Sequence, residues 1–172
     1  MSDIEFKPSD QLYYAIAALR GWDEASQQAR SYGGTHASRF GRLVSSILVA
    51  ADDGRDPLAV TGALDERGTG NIAVIYDQFV VVVDVVELQE QNGEVSVILH
   101  NFDAIEAVQI STTHNFFDGT TRHMRHEGIE LQIGIAGQRF IFPPMKWAQS
   151  PLLQSDAVLL AYTTIRDKRA ER

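Results

Sequence analysis

The 172-residue chain contains no cysteine. Disulfide bonds and thiolate metal sites are therefore excluded, and the composition suits the reducing cytoplasm. No stretch approaches the roughly 20 consecutive apolar residues that a membrane-spanning helix needs. The opening segment, MSDIEFKPSD, also lacks the basic and then apolar order of a secretory signal. We therefore expect a cytoplasmic protein.

Positive charge is scarce in the middle of the chain. Arg67 is the single basic residue between positions 57 and 110. The acidic residues of the same segment are Asp65, Glu66, Asp77, Asp84, Glu87, Glu90, Glu94, Asp103 and Glu106. A negative field of this kind repels phosphate backbones and anionic lipids. The sequence therefore argues against nucleic acid as a partner and disfavours a membrane surface.

The sequence changes character at residues 52–57, DDGRDP, where Asp, Gly and Pro cluster as they do in turns. Hydrophobic residues make up 44% of the chain, which is enough for the core of one domain, or of one domain with an extension. Helical spacing precedes this turn and strand-like spacing follows it. We predict an N-terminal helical segment over residues 1–56 and a β-rich unit over residues 57–172.

The helical segment is predicted to contain two helices. The first covers residues 9–32 in two pieces, with Ser9 as its N-cap and a break at Gly21. The second covers residues 37–51 and carries a continuous apolar stripe. The stripe can be covered in three ways: by the protein's own core, by a partner or by a membrane surface. Because the helix lies outside the β-rich unit, we predict a homo-oligomer. Its predicted interaction surface consists of Phe40, Leu43, Val44, Ile47 and Leu48.

Strand-like segments then follow one another to residue 142. They cover residues 58–64, 71–76, 79–88, 95–100, 105–111, 129–135 and 139–142. The 79–88 segment is apolar on both faces, which predicts that both faces are covered. Asn92-Gly93 predicts a type I′ turn that folds 95–100 back antiparallel to 79–88. A last helix is predicted over residues 151–169, with Ser150 as its N-cap and Pro151 at its first position.

This order of antiparallel strands followed by one amphipathic helix resembles that of bacterial pleckstrin-homology-like and GRAM-like domains. The segments NIAVIYDQFVVVV and LHNFDAIEAVQIS resemble paired strands and a later strand entry of those domains. The resemblance covers about residues 58–169. It implies an α+β fold in which the N-terminal helices precede an antiparallel β-barrel or sandwich closed by a C-terminal helix.

The resemblance also bears on function. Lipid-binding members of the family hold inositol phosphates with a basic cluster on the first strand–loop–strand, because phosphate recognition requires Lys and Arg. Here that region offers Arg67 alone. Other members bind proteins, and the acidic middle of this chain favours that use.

Histidines gather in the polar segment 112–128. His123 and His126 present two imidazoles on one face if the segment is helical, and His114 is a third candidate ligand for a divalent metal. The alternative is an ordinary surface loop. Asp84 interrupts the apolar 79–88 strand, and a buried carboxylate without a partner is costly. It must reach solvent, a backbone donor or a cation, or else serve as a functional carboxylate in a pocket.

No motif for nucleophilic catalysis or nucleotide binding is present, since Gly68-Thr69-Gly70 lacks the following Lys and Ser or Thr of a phosphate loop. We expect a non-catalytic protein-binding or scaffolding module, bacterial and cytoplasmic, that needs no cofactor. Two alternatives stay open. One is a metal-binding protein or metal-dependent enzyme that uses the 112–128 loop, and the other is a peripheral lipid-binding module.

Overall fold

The structure is a computed structural model that describes residues 7–32, 35–52, 54–88, 90, 92–113, 128–143 and 150–171, with side chains at all of these except 28–32 and 35–38. The helices are α1 (Pro8–Ala17), α2 (Trp22–Tyr32), α3 (Thr35–Ala51) and α4 (Ser155–Ala170). The strands are β1 (Ala59–Leu64), β2 (Gly70–Ile75), β3 (Phe79–Val86), β4 (Glu94–Asn101), β5 (Ile105–Thr112), β6 (Ile129–Ile135) and β7 (Gln138–Phe142). Each predicted strand is thus confirmed to within a few residues.

The described strands form two antiparallel sheets. Strands β1 to β4 make a four-stranded sheet in chain order, and β5 to β7 make a three-stranded sheet. A 3-10 turn over Phe102–Ala104 carries the chain from one sheet to the other. The α+β class is confirmed. The expected barrel, in contrast, is not closed, because no ladder joins the two sheets in the described part of the chain. Between β1 and β7 the Thr61 hydroxyl donates a hydrogen bond to the Ile141 carbonyl.

The four-stranded sheet is the middle layer of the fold. One of its faces packs against the N-terminal helices, which bring Leu12, Ile16, Trp22, Phe40, Leu43 and Ile47 to Ile72, Val74, Val81 and Val83. The other face packs against the three-stranded sheet and α4, which bring Leu131, Ile133, Phe140, Val158, Ala161 and Ile165 to Ala73, Ile75, Val80 and Val82. Each buried aliphatic side chain contributes about 1.5–3 kcal/mol. The prediction that β3 is covered on both faces is confirmed.

The connection over residues 52–57 is anchored to the four-stranded sheet. Arg55 forms an ion pair with Asp77 at 2.8 Å and lies over the ring of Phe79, 5.6 Å from its centroid. The amide of Leu58 then donates to the carbonyl of Ile75 at 2.7 Å. Helices α1 to α3 therefore pack on the β-rich unit and share a core with it. The boundary between residues 56 and 57 stays a prediction.

Gly21 separates α1 from α2 as the sequence predicted. Its φ of 79° lies in the left-handed region, and a Cβ atom there would overlap the carbonyl oxygen of Leu64. The N-cap predicted at Ser9 was wrong, because the first helix begins at Pro8 and Ser9 lies inside its first turn. Ser150 does occupy an N-cap position with Pro151 following it, but the element that it precedes is a 3-10 turn over Pro151–Leu153, and its side chain makes no capping hydrogen bond. The α-helix begins at Ser155.

The β3–β4 connection confirms the antiparallel hairpin but not its predicted turn. Val86 pairs with Glu94, so the loop spans residues 87–93. A type I′ turn at Asn92-Gly93 would instead have paired residue 91 with Glu94. The loop is held at its root, where the amide of Glu87 donates to the Thr69 hydroxyl at 3.1 Å and that of Leu88 to the Gly68 carbonyl at 2.9 Å. The Asn92-Gly93 motif did not predict this loop, because the contacts that hold it come from the β1–β2 loop, which is distant in sequence.

Candidate functional site

Strand β4 is an edge of the four-stranded sheet and exposes apolar side chains on both of its faces. Val95 and Leu99 are 42% and 43% exposed on the face that α3 covers, and Ile98 is 46% exposed on the other. Ser96 is exposed between them. We call these four residues the β4 surface. No described strand pairs with the outer edge of β4, so its outward N–H and C=O groups can accept another chain.

This edge lacks the features with which proteins usually block pairing. Edge strands are commonly protected by Lys, Pro or a β-bulge. Strand β4 contains none of these residues between Glu94 and Asn101, and its pairing with β3 runs without a register shift. Glu94, at the beginning of the strand, is its one acidic side chain. Within the described residues, which leave out 114–127 and 144–149, the edge is therefore long, regular and open to a partner strand.

A cleft of about 320 Å³ adjoins the β4 surface, between α3 and the β3–β4 loop. It is lined by Arg39, Arg42, Leu43, Ser46, Leu88, Gly93 and Val95. The Arg39 guanidinium donates to the carbonyl of Leu88 at 3.2 Å, which ties the helix to the loop. A Cβ atom at Gly93 would overlap the carbonyl oxygen of Glu87, so the loop requires glycine there. The cleft thus offers cationic and hydroxyl donors beside an apolar strand.

A second cavity, of about 310 Å³, lies where β1 approaches β7. Its lining is mainly apolar and includes Leu19, Val60, Phe142, Leu153 and Val158. Its lining includes Pro143, the last described residue before a gap in the description at residues 144–149. We therefore assign it no ligand.

Asp84 finds its partner on the other sheet. Gln138 donates from Nε2 to a carboxylate oxygen of Asp84 at 2.9 Å, and Asn71 donates from Nδ2 to Oε1 of Gln138 at 3.2 Å. The carboxylate is half-buried and lines neither of the two cavities described above. The hydrogen-bond donor to the Asp84 carboxylate is therefore a side-chain amide, which the sequence did not suggest. The arrangement explains Asp84 as a polar link between the sheets.

The predicted interaction surface on α3 lies in the protein's own core. Phe40, Leu43, Val44 and Ile47 are at most 8% exposed, and Leu48 is partly buried against the same cluster. They face the four-stranded sheet and the neighbouring helices, because α3 packs across β3 and β4. Of the ways to cover this stripe that the sequence left open, the structure shows the protein's own core. The assignment of these residues to a contact between chains stays a prediction. The homo-oligomer itself stays a prediction.

The predicted metal ligands His114, His123 and His126 lie outside the described residues. His100, on β4, is half-buried. Within the described ranges, no group of three or more His, Asp or Glu side chains is arranged to hold a metal ion. The metal site in the 112–128 loop stays a prediction. No helix in the described part of the chain is long and apolar enough to cross a bilayer.

Comparison with known proteins returns no matching family model and no matching curated protein. Among solved structures, the chain is similar to the crystal structure of a DUF1696 family protein with a pleckstrin-homology domain from Shewanella loihica PV-4. The two share 15% sequence identity and align over 72% of this chain and 88% of the other, with a TM-score of 0.33. A likeness at that TM-score supports no conclusion about function.

Proposed function

We propose that the protein is a non-catalytic protein-binding or scaffolding module whose binding surface is the open edge of β4. The observation that carries this proposal is the exposure of apolar side chains on both faces of one edge strand, whose outer edge pairs with no described strand. Covering such a strand releases water from its side chains and pairs its backbone polar groups at the same time. Both gains require a partner that supplies an extended segment.

The cleft beside β4 adds specificity to this surface. Its arginines lie next to Val95, so a bound segment with apolar residues along β4 and an acidic residue near Arg42 would satisfy both regions. The whole chain is net negative, with a formal charge of −8. Arg42 offers an acidic group of a partner a charge-assisted hydrogen bond beside the apolar strand.

The fold and the location belong to the same proposal. Seven strands in two antiparallel sheets followed by a helix have the order that we noted for pleckstrin-homology-like domains, and we propose a sandwich of that kind. The absence of cysteine favours the cytoplasm. On this proposal the bacterial protein acts through protein contacts, with nucleic acid and membrane surfaces disfavoured by its charge.

Site-specific photo-cross-linking in living cells tests the proposal. A photoreactive amino acid replaces Ser96 on β4 in one variant and Leu160 on α4 in the other. Leu160 is a matched control, because it is apolar and 52% exposed but belongs to a helix with no open edge. We expect protein adducts at position 96 that are at least several-fold more abundant than those at position 160.

A second change links these adducts to the β4 surface. Adding Ile98→Lys to the Ser96 variant places a charge on the exposed strand, and we expect the adducts to disappear while the thermal transition is kept. Equal labelling at positions 96 and 160, or adducts that survive Ile98→Lys, would count against β4 as the binding surface.

A further inference from the structure

We propose that the partner of β4 is the β4 strand of a second copy of this chain, paired antiparallel about a twofold axis at Val97. This inference rests on the proposed function and names its partner. The two four-stranded sheets would then join into one sheet of eight strands. The result is an isologous dimer, in which the same surface is used by both subunits.

Symmetry restricts the possible registers. A twofold axis perpendicular to the sheet keeps the helix-covered face of both subunits on the same side, and it makes the two strands antiparallel. Residues directly opposite each other must then point to the same face. Side chains alternate along a strand, so an odd-numbered residue of one strand lies opposite an odd-numbered residue of the other.

With the axis at Val97, the face covered by α3 becomes continuous and apolar. Val97 lies opposite the partner subunit's Val97, and Val95 lies opposite the partner subunit's Leu99. Val95 and Leu99 are the two residues that remain 42% and 43% exposed on this face of β4. Side chains that lie directly opposite each other on neighbouring strands contact one another and stabilise the sheet.

On the opposite face, the same register keeps the two Glu94 carboxylates apart. Glu94 lies opposite the partner subunit's His100, and Ser96 lies opposite the partner subunit's Ile98. Each Glu94 carboxylate therefore lies beside an imidazole ring and not beside a second carboxylate. Parallel pairing in register would instead set the two Glu94 carboxylates side by side, which is unfavourable.

The neighbouring register, with the axis at Ile98, fits less well. It sets Val95 opposite the partner subunit's Asn101, so an exposed valine meets an amide. It also moves Glu94 past the last residue of the opposite strand, next to the partner subunit's Phe102. This register loses both the Val95–Leu99 contact and the pairing of Glu94 with an imidazole.

Engineered cysteines test the register directly, because the chain has no thiol of its own. At the axis, the Cα atoms of opposite residues lie about 4.5–5.5 Å apart, within the range that a disulfide spans. We therefore expect Val97→Cys to form a covalent dimer when treated with diamide. Val95→Cys is the matched control, since four residues along the strands separate its two copies by about 13 Å, too far for a disulfide.

Three further measurements complete the experiment. We expect the wild-type chain to sediment as a dimer at high micromolar concentration and the folded Ile98→Lys variant as a monomer. We also expect the double variant Val95→Cys with Leu99→Cys to form a covalent dimer, which covers the case in which a cysteine at the half-buried position 97 impairs folding. A covalent dimer of Ile98→Cys without one of Val97→Cys would overturn the register.

A monomeric wild-type chain in which none of these variants cross-links would overturn self-pairing altogether. The proposed function fails differently. If the photoreactive group at position 96 still captures another protein under those conditions, β4 is a binding surface and only its partner is misassigned. If it captures nothing, both proposals fail together.

Discussion

Strands β3 and β4 are neighbours in one sheet, paired without interruption from Phe79↔Asn101 to Val86↔Glu94, yet their surroundings differ completely. Val82 of β3 and Ile98 of β4 are direct cross-strand partners on the same face. Val82 is 2% exposed and Ile98 is 46% exposed. Their side chains are alike in chemistry, so the difference comes from position. Strand β3 is covered by layers above and below, whereas β4 extends past them.

This comparison separates apolar residues that hold the fold together from apolar residues that are available for binding. The N-terminal helices and the second sheet together enclose β3. They cover only part of β4, where Val97 packs against the helix-side core but Val95 and Leu99 remain open. Substitutions in β3 should therefore act on folding, and substitutions in β4 on association.

The largest effect is expected from Val82→Lys, and the matched control is the same substitution at its cross-strand partner, Ile98→Lys. Val82→Lys buries an ammonium between the two sheets without a partner, at a cost comparable to the roughly 5–15 kcal/mol stability of a domain. We expect it to abolish cooperative thermal unfolding, measured by circular dichroism. Ile98→Lys should keep a sharp transition within a few degrees of the wild type. If Val82→Lys also unfolds cooperatively, β3 is not enclosed as described.

A similarly large effect is expected on α3. Leu43→Glu with Ile47→Glu puts two carboxylates into the helix-side core, where both side chains are at most 1% exposed. We expect the double variant to be unfolded. Val49→Glu is the matched control on the same helix, because Val49 is 78% exposed, and its melting temperature should hardly change. A folded and monomeric double variant would restore the α3 stripe as a surface between chains.

A moderate effect is expected at the polar link between the sheets. Gln138→Ala removes the amide that donates to Asp84 and leaves a half-buried carboxylate without that donor. A hydrogen bond to a charged group contributes about 1.5–3 kcal/mol when buried, so we expect a loss near or below the lower figure. Chemical denaturation measures it. Gln109→Ala, on the exposed strand β5, should leave the free energy of unfolding unchanged, and an equal loss there would remove the role given to Asp84.

The smallest effect at neutral pH is expected at Tyr76. This fully buried residue packs on Phe79 with ring centroids 5.2 Å apart, and within the described residues its hydroxyl has no hydrogen-bond partner. Burial raises the pKa of Tyr76 above its ordinary value of 10.0. Tyr76→Phe should therefore change the free energy of unfolding by no more than about 1 kcal/mol at neutral pH.

The sign of the alkaline effect follows from the raised pKa. In the unfolded chain Tyr76 ionises near its ordinary pKa, while in the folded chain it stays neutral. Its contribution to stability is thus complete below that pH and falls as the pH rises above it. We expect the alkaline loss of stability to be shallower in Tyr76→Phe than in the wild type. Identical slopes in denaturation series at neutral and alkaline pH would contradict the burial of this hydroxyl.

Sequence patterns predicted the helices and strands because each pattern is local. The break at Gly21, the valines on both faces of β3 and the alternating Ile129–Ile135 strand are all readable from spacing and residue type. The caps and the β3–β4 turn were predicted less well. Their geometry depends on contacts from distant parts of the chain, such as those of Thr69 with the amide of Glu87.

The β4 surface was not predicted, although its residues carry a readable signal. The strand from Glu94 to Asn101 contains no Lys, Arg or Pro. The absence of these residues indicates a binding surface only if the strand lies at the edge of a sheet. The sequence does not show which strand is at the edge, because the order of strands depends on contacts between distant residues. The apolar stripe of α3 shows the reverse case. It was assigned to a surface between chains because nothing in the sequence shows that α3 packs across β3 and β4.

By itself, the sequence determined the class of the protein: an acidic chain without thiols, with helices first, then antiparallel strands and a last helix. Composition and periodicity suffice for this because charge, redox chemistry and backbone preference belong to individual residues and their near neighbours. Only the tertiary structure decided which apolar residues are core and which are surface, and where Asp84 finds its donor. Burial depends on what the remote parts of the chain bring to each face, and in this protein two layers cover β3 while β4 is left at the edge.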